Sequence, residues 1–125
     1  MSIQLTGIVK SFTADAAIVK NRVVKITTTG TYTCDTATAA SDKVIGVATL
    51  AADAAAQVPV QLTGTCKITA STSISAGAYV VATTAGKIVS STSDKDKPIG
   101  LALEAAAADG DLIEVLLTPG TTMSV

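Results

Sequence analysis

At 125 residues the chain suits one domain, and a domain of that length buries roughly two-thirds of the surface its unfolded form exposes. Nine basic and ten acidic residues leave a net charge of −1, and the only aromatics are Phe12, Tyr32 and Tyr79, so the basic face with stacking rings that nucleic-acid binding uses is missing. The absence of histidine removes His-based triads, imidazole bases and His metal ligands, and no apolar run approaches the roughly 18 residues of a membrane span.

The apolar mass comes from Ala, Val, Ile and Leu, with Thr and Ser filling much of the rest. Small and β-branched side chains fit a pleated surface, which points to an all-β domain of short antiparallel strands. Residues 1–19 are expected to form an N-terminal arm or first strand. In that segment Ile3 and Leu5 alternate with Ser2, Gln4 and Thr6, Gly7 interrupts, and Ile8 and Val9 resume. Two readings are open for it: an edge strand of the domain's own sheet, or an arm that adds to a partner's sheet. The start, Met1-Ser2-Ile3-Gln4-Leu5, lacks the charged and apolar regions of a secretion signal, so the chain is expected to be cytosolic when made.

Residues 20–120 then read as a single β domain built from two related halves, at about 20–64 and 76–120. Asn21-Arg22-Val23-Val24 aligns with Gly77-Ala78-Tyr79-Val80, and Val44-Ile45-Gly46-Val47-Ala48 with Pro98-Ile99-Gly100-Leu101-Ala102. Asn opposite Gly is physically sensible, because both tolerate a positive φ and so turn the chain ahead of a strand. The first half is expected to hold strands near 22–28, 31–34, 44–49 and 57–63. Counterparts in the second fall near 78–83, 86–90, 98–103 and 111–117. Thr65-Cys66-Lys67-Ile68-Thr69 continues an alternating pattern between the halves. The Ala-rich stretches 51–56 and 105–108 have helix propensity but are too short for stable helices, so turns are expected. Pro59 places its strand at an edge, or turns its missing donor outward. Residues 121–125 read as a loose tail.

Cys34 and Cys66 are too few for a disulfide framework and are not spaced as a metal pair; they read as small core thiols, with a bridge open if the fold brings their strands together. Asp94 and Asp96, and Asp109 and Asp111, sit in loops without the apolar setting that shifts a pKa for catalysis. Asp109-Gly110-Asp111 lacks the further spaced oxygens of a calcium loop and reads as a turn. No catalytic, cofactor or metal residues are expected, and the chain is not expected to be an enzyme.

The repeated Ile-Gly strands, the Gly77-Ala78-Tyr79-Val80 start, Lys87 in the following turn and Gly110-Asp111 before the closing strand resemble the capsid decoration, or cement, proteins of tailed bacteriophages. Asn21-Arg22 departs from the Gly-Asp-like start usual there. The resemblance implies a small tulip-like or barrel-like domain on the outer capsid surface of the virion. Its partner would be the major capsid (coat) protein, and it would be a homo-oligomer, a trimer rather than a dimer, with no nucleic acid and no membrane involved. Binding the expanded shell and bridging coat subunits would stabilise it. The capsid contact is expected at Ser2, Ile3, Gln4, Leu5, Thr6, Ile8 and Val9. A virion-displayed host- or glycan-binding module is the alternative.

Overall fold

A computed structural model describes residues 7–39, 43–91 and 98–117. Ten strands follow one another: β1 (Val9–Ala14), β2 (Val23–Thr27), β3 (Thr33–Thr36), β4 (Val44–Ala48), β5 (Gln57–Gln61), β6 (Thr65–Thr69), β7 (Tyr79–Ala82), β8 (Ile88–Ser90), β9 (Gly100–Ala102) and β10 (Leu112–Leu117). A 3₁₀ turn, Thr84–Gly86, joins β7 to β8, and the Ala-rich stretches 51–56 and 105–108 are turns carrying one isolated bridge each. The fold is all-β, as the composition predicts.

The first five strands close into a barrel in the order β1-β3-β2-β4-β5, and the last five form a sheet ordered β6-β10-β9-β7-β8. The two orders are the same once β1 is matched with β6, β2 with β7, and so on. The cross-strand partners match as well: Val23 pairs with Val47 and Val47 with Gln61 in the first half, and Tyr79 with Leu101 and Leu101 with Leu116 in the second. Each half thus has five strands, and the leading strand of each, β1 or β6, precedes the stretch at which the sequence similarity becomes visible. All pairings are antiparallel except β1 with β3, which run parallel at Thr13 and Ala14; in the second half the corresponding closure is one parallel bridge, Ala70 to Ile88.

The repeated Ile-Gly has a packing cause. A Cβ on Gly46 would run into the carbonyl oxygen of Gln61, and one on Gly100 into that of Leu116. Each glycine lets β4 or β9 approach the backbone of the closing strand, an approach that any side chain would block. Asn21 and Gly77, aligned in the sequence, both adopt positive φ, 64° and 88°, ahead of β2 and β7.

Two buried clusters result. Phe12, Ala14, Ile18, Val24, Cys34, Ala48, Val58 and Val60 fill the first barrel. The second cluster gathers the inner face of the second sheet and also takes in Val23, Ala37 and Val47 from the outside of the first barrel. Main-chain bonds from Thr69 N–H to Asn21 O (3.0 Å) and Gly86 N–H to Ala37 O (2.8 Å) tie the halves at this junction. The first half therefore plugs the open side of the second.

Pro59 lies inside the barrel rather than at an edge, since β5 pairs with both β1 and β4. Its place opposite Ser11 explains this. Ala14 exchanges bonds with Ala55 and Ala56, so even-numbered β1 residues aim their main-chain groups at the β5 side, and Ser11 and Pro59 form a pair without hydrogen bonds. Proline gives up no bond to β1 there, and on its other side its carbonyl accepts Thr49 N–H (3.0 Å) one residue past the end of β4. Cys34 and Cys66 are both buried free thiols, pushed up to about 11 and about 12, first by burial and then by neighbouring carboxylates: Asp15 and Asp35 for Cys34, Glu114 for Cys66.

Candidate functional site

The residues expected to contact the capsid divide at Gly7. Ser2, Ile3, Gln4, Leu5 and Thr6 lie outside the described residues. Ile8 and Val9 are exposed and lead into β1. Ile8 donates its N–H to Thr63 Oγ1 (2.8 Å), its carbonyl accepts from Leu62 N–H (2.8 Å), and Val9 pairs with Gln61. A side chain on Gly7 would collide with Thr63. The chain therefore enters the barrel along a fixed path beside the β5–β6 connection.

The strand it enters has one open edge. Residues 9–13 of β1 pair with β5 on one side, but on the other β3 meets β1 only at Thr13 and Ala14. Thr13 donates to Tyr32 O (2.8 Å) on that second side, and alternation then aims the main-chain groups of Val9 and Ser11 the same way, where β3 no longer reaches. Sequence reasoning gave residues 1–19 as an arm or first strand and, with the alternation noted only at residues 2–9, did not single out the edge at Val9 to Ala14. The available signal was the inward alternation of Phe12 and Ala14 with Ser11 and Thr13. Tyr32, itself exposed, lies beside this edge. Its ring meets that of Phe12 edge-on at 6.1 Å, and Lys10 Nζ lies 4.4 Å from its centroid.

A second feature is an open polar cleft of about 480 Å³ lined by Asp15, Lys25, Ile26, Thr27, Thr28, Thr29, Asp35 and Lys43. Thr29 Oγ1 bonds Asp15 Oδ1 (2.8 Å) and Thr27 Oγ1 donates to Thr33 Oγ1 (2.7 Å). No aromatic ring lines it.

The loop carboxylates have structural employment. Asp111 Oδ2 accepts from Ala107 N–H (2.8 Å) and Ala108 N–H (3.2 Å), closing the turn before β10. Asp109 pairs with Lys87 at 2.8 Å, and that bond holds its carboxyl below the usual range. Asp94 and Asp96 lie outside the described residues. Among the described residues no three His, Cys, Asp or Glu side chains gather as a metal site, and no helix is long and apolar enough to cross a membrane.

An exposed strand edge, a buried junction between duplicated halves and carboxylates engaged in turns together define a β-structural domain. A family model described as phage cement protein matches residues 3–117. The chain belongs to this family of capsid-associated structural proteins of bacteriophages. Among solved structures, the N base of the head fibre gp8.5 of bacteriophage phi29 is similar in fold, with a TM-score of 0.73 and 18% sequence identity over 89% of this chain and 93% of that one. No curated protein matches the sequence.

Proposed function

We propose that the protein binds the outer surface of the expanded phage capsid, as a trimer, and stabilises the shell by bridging neighbouring coat subunits. The supporting observation is the uncovered edge of β1 at Val9 and Ser11, continuous with the alternating stretch Ser2 to Thr6. An extended segment of the coat protein pairs with this edge and the stretch before it. Main-chain hydrogen bonds supply affinity, and Ile3, Leu5 and Ile8 supply side-chain selectivity. Each contact is modest. Several per oligomer, engaged at once, raise the effective affinity by orders of magnitude, roughly 10²–10⁴-fold.

The test is co-sedimentation with expanded, undecorated heads. Wild type is expected to bind saturably, and removal of residues 1–8 to abolish binding. Val9→Pro removes an outward N–H without breaking a β1–β5 bond and is expected to weaken binding at least tenfold, whereas Val9→Ala is expected to bind nearly as wild type. Undiminished binding by the truncated chain sinks the strand-addition mechanism.

The alternative, a virion-displayed host- or glycan-binding module, has the Asp15–Lys43 cleft in its favour, since hydroxyls and carboxylates around a partly apolar floor suit a polyhydroxylated ligand. It predicts glycan-array binding that Asp35→Ala removes.

A further inference from the structure

A short repeat stands outside the two aligned halves. Ile3-Gln4-Leu5-Thr6-Gly7 matches Val60-Gln61-Leu62-Thr63-Gly64 in four residues of five, and the fifth exchanges Ile for Val. Each copy precedes a leading strand: Gly64 lies directly before β6, and only Ile8 separates Gly7 from β1. In the second copy Val60 and Gln61 end β5, and each is paired on both sides, Val60 with Lys10 and Ala48, Gln61 with Val9 and Val47. Leu62 N–H donates to Ile8 O (2.8 Å) on the β1 side, and Pro59 O accepts Thr49 N–H (3.0 Å) on the β4 side. Alternation therefore aims the Val60 N–H at β1 and the Gln61 N–H at β4. The chain then leaves the barrel for the second sheet through a positive φ of 89° at Gly64. Gln61 clamps that exit: its side chain is buried, and its Nε2 donates to Thr63 O (2.8 Å) and Thr65 O (2.9 Å). These five residues thus encode the end of a strand held between two others, a clamp, and a passage into the next leading strand.

We infer that Ile3 and Gln4 likewise end a strand that is taken up between two strands of the coat protein, with the Gln4 amide clamping the passage into β1. This deepens the strand-addition reading proposed above and rests on it. An arm laid along a sheet edge pairs with one strand; an arm that fills a gap joins two. In both described halves the place between the leading strand and its far neighbour is already held, by β5 and by β10, so the sheet that Ile3 and Gln4 complete lies outside them. Ile3 corresponds to Val60, which is fully buried in the first barrel, and so turns toward the apolar side of the receiving sheet. Ser2 corresponds to Pro59, which the first barrel accommodates between β1 and β4.

A proline scan of the full chain, read by co-sedimentation with expanded, undecorated heads, tests this, because each proline removes one main-chain donor. Ile3→Pro and, separately, Gln4→Pro are each expected to weaken binding at least tenfold, since their donors serve opposite neighbours. Ser2→Pro, which copies Pro59, and Ile3→Val, which copies Val60, are expected to bind as wild type. Gln4→Ala is expected to weaken binding at least tenfold while shifting the Tm of the free protein by no more than about 2 °C. Wild-type binding by Ile3→Pro or Gln4→Pro, or a loss in Ser2→Pro, overturns the insertion, and edge addition stands if removal of residues 1–8 still abolishes binding. Undiminished binding without residues 1–8 overturns both. A Gln4→Ala variant that binds as wild type, or loses binding together with a lowered Tm, overturns the clamp.

Discussion

Replacing Gly100 by alanine tests the claim that the repeated glycine is there for strand approach. In an extended strand this change ordinarily stabilises by about 0.4–1 kcal/mol, because it restricts the unfolded chain. Here the new methyl meets the Leu116 carbonyl oxygen and sits 2.8 Å from Val115 Cγ1. The obstacle is main chain, so relief comes only by moving β9 off β10, where the strands share the pairs Val115–Ala102, Leu116–Leu101 and Leu117–Gly100. Overpacking of this kind costs about 1–3 kcal/mol, and the expected net loss is about 2 kcal/mol. An unfolding entropy of about 2.1 cal/mol/K per residue makes that a fall of about 8 °C in Tm for 125 residues. Thermal unfolding followed by circular dichroism measures it. Gly46→Ala is expected to behave alike, with Gln61 O as the obstacle, whereas Gly30→Ala, which meets only Thr33 Cγ2 at 3.3 Å, is expected to shift Tm by no more than about 2 °C. An unchanged or raised Tm for Gly100→Ala refutes the strand-approach account.

Other predictions follow from single contacts. The Lys67 ammonium and the Glu114 N–H hold the Glu104 carboxyl below its usual 4.5, so its contribution is present above that value and is lost as pH falls through the lowered one; Glu104→Gln should flatten the acid limb of a stability–pH curve. Thiols pushed up to about 11 and 12 should resist a thiol-reactive dye at pH 8 in the folded protein, and both should react in denaturant. Because both values exceed the ordinary 9.0, the stability they reflect is intact below pH 9 and declines as pH rises toward 11; an alkaline limb unaltered in Cys66→Ala would contradict this. Asn21→Gly should be neutral or slightly stabilising and Asn21→Val destabilising by about 1–2 kcal/mol, measured by urea unfolding, because φ is 64° there.

Much of the architecture was legible because it depends on local pattern. Alternation of β-branched residues located β2, β4, β5, β6, β7 and β10 to within a residue or two, and the Asn21–Gly77 alignment anticipated two turns of the same hand. The pairing of halves around β3 was not. Carrying the Asn21–Gly77 offset forward sets Tyr32 opposite Ile88, but the pairs Ile26–Cys34 and Ala82–Ile88 put Cys34 there, because the connection before β3 is two residues longer than its counterpart before β8. A loop insertion leaves no periodic trace, so only the register reveals it. The bounds of the first strand within residues 1–19 are hidden for a related reason: Lys10 interrupts the apolar alternation, and its Nζ lies over the Tyr32 ring, a contact that exists only after folding.

That longer connection also bears on how a duplicated chain remains finite. Two similar halves, each with an apolar outer row and an opening beside its leading strand, would by themselves stack without limit. In this chain one row is buried in one opening, Val23 and Val47 against the second sheet. The remaining opening is closed from within, by Tyr32 against Phe12 and by Thr13 on Tyr32 O. The remaining row, Tyr79 to Leu116, stays exposed. Position alone does not distinguish these outcomes in the sequence, since Val23 and Tyr79, or Val47 and Leu101, are all apolar residues at outward sites. The buried joint and the exposed row differ in what meets them: Val23 and Val47 enter the second half's core, whereas the equivalent opening of the first half, where the connection before β3 is two residues longer, is taken by the chain's own Tyr32.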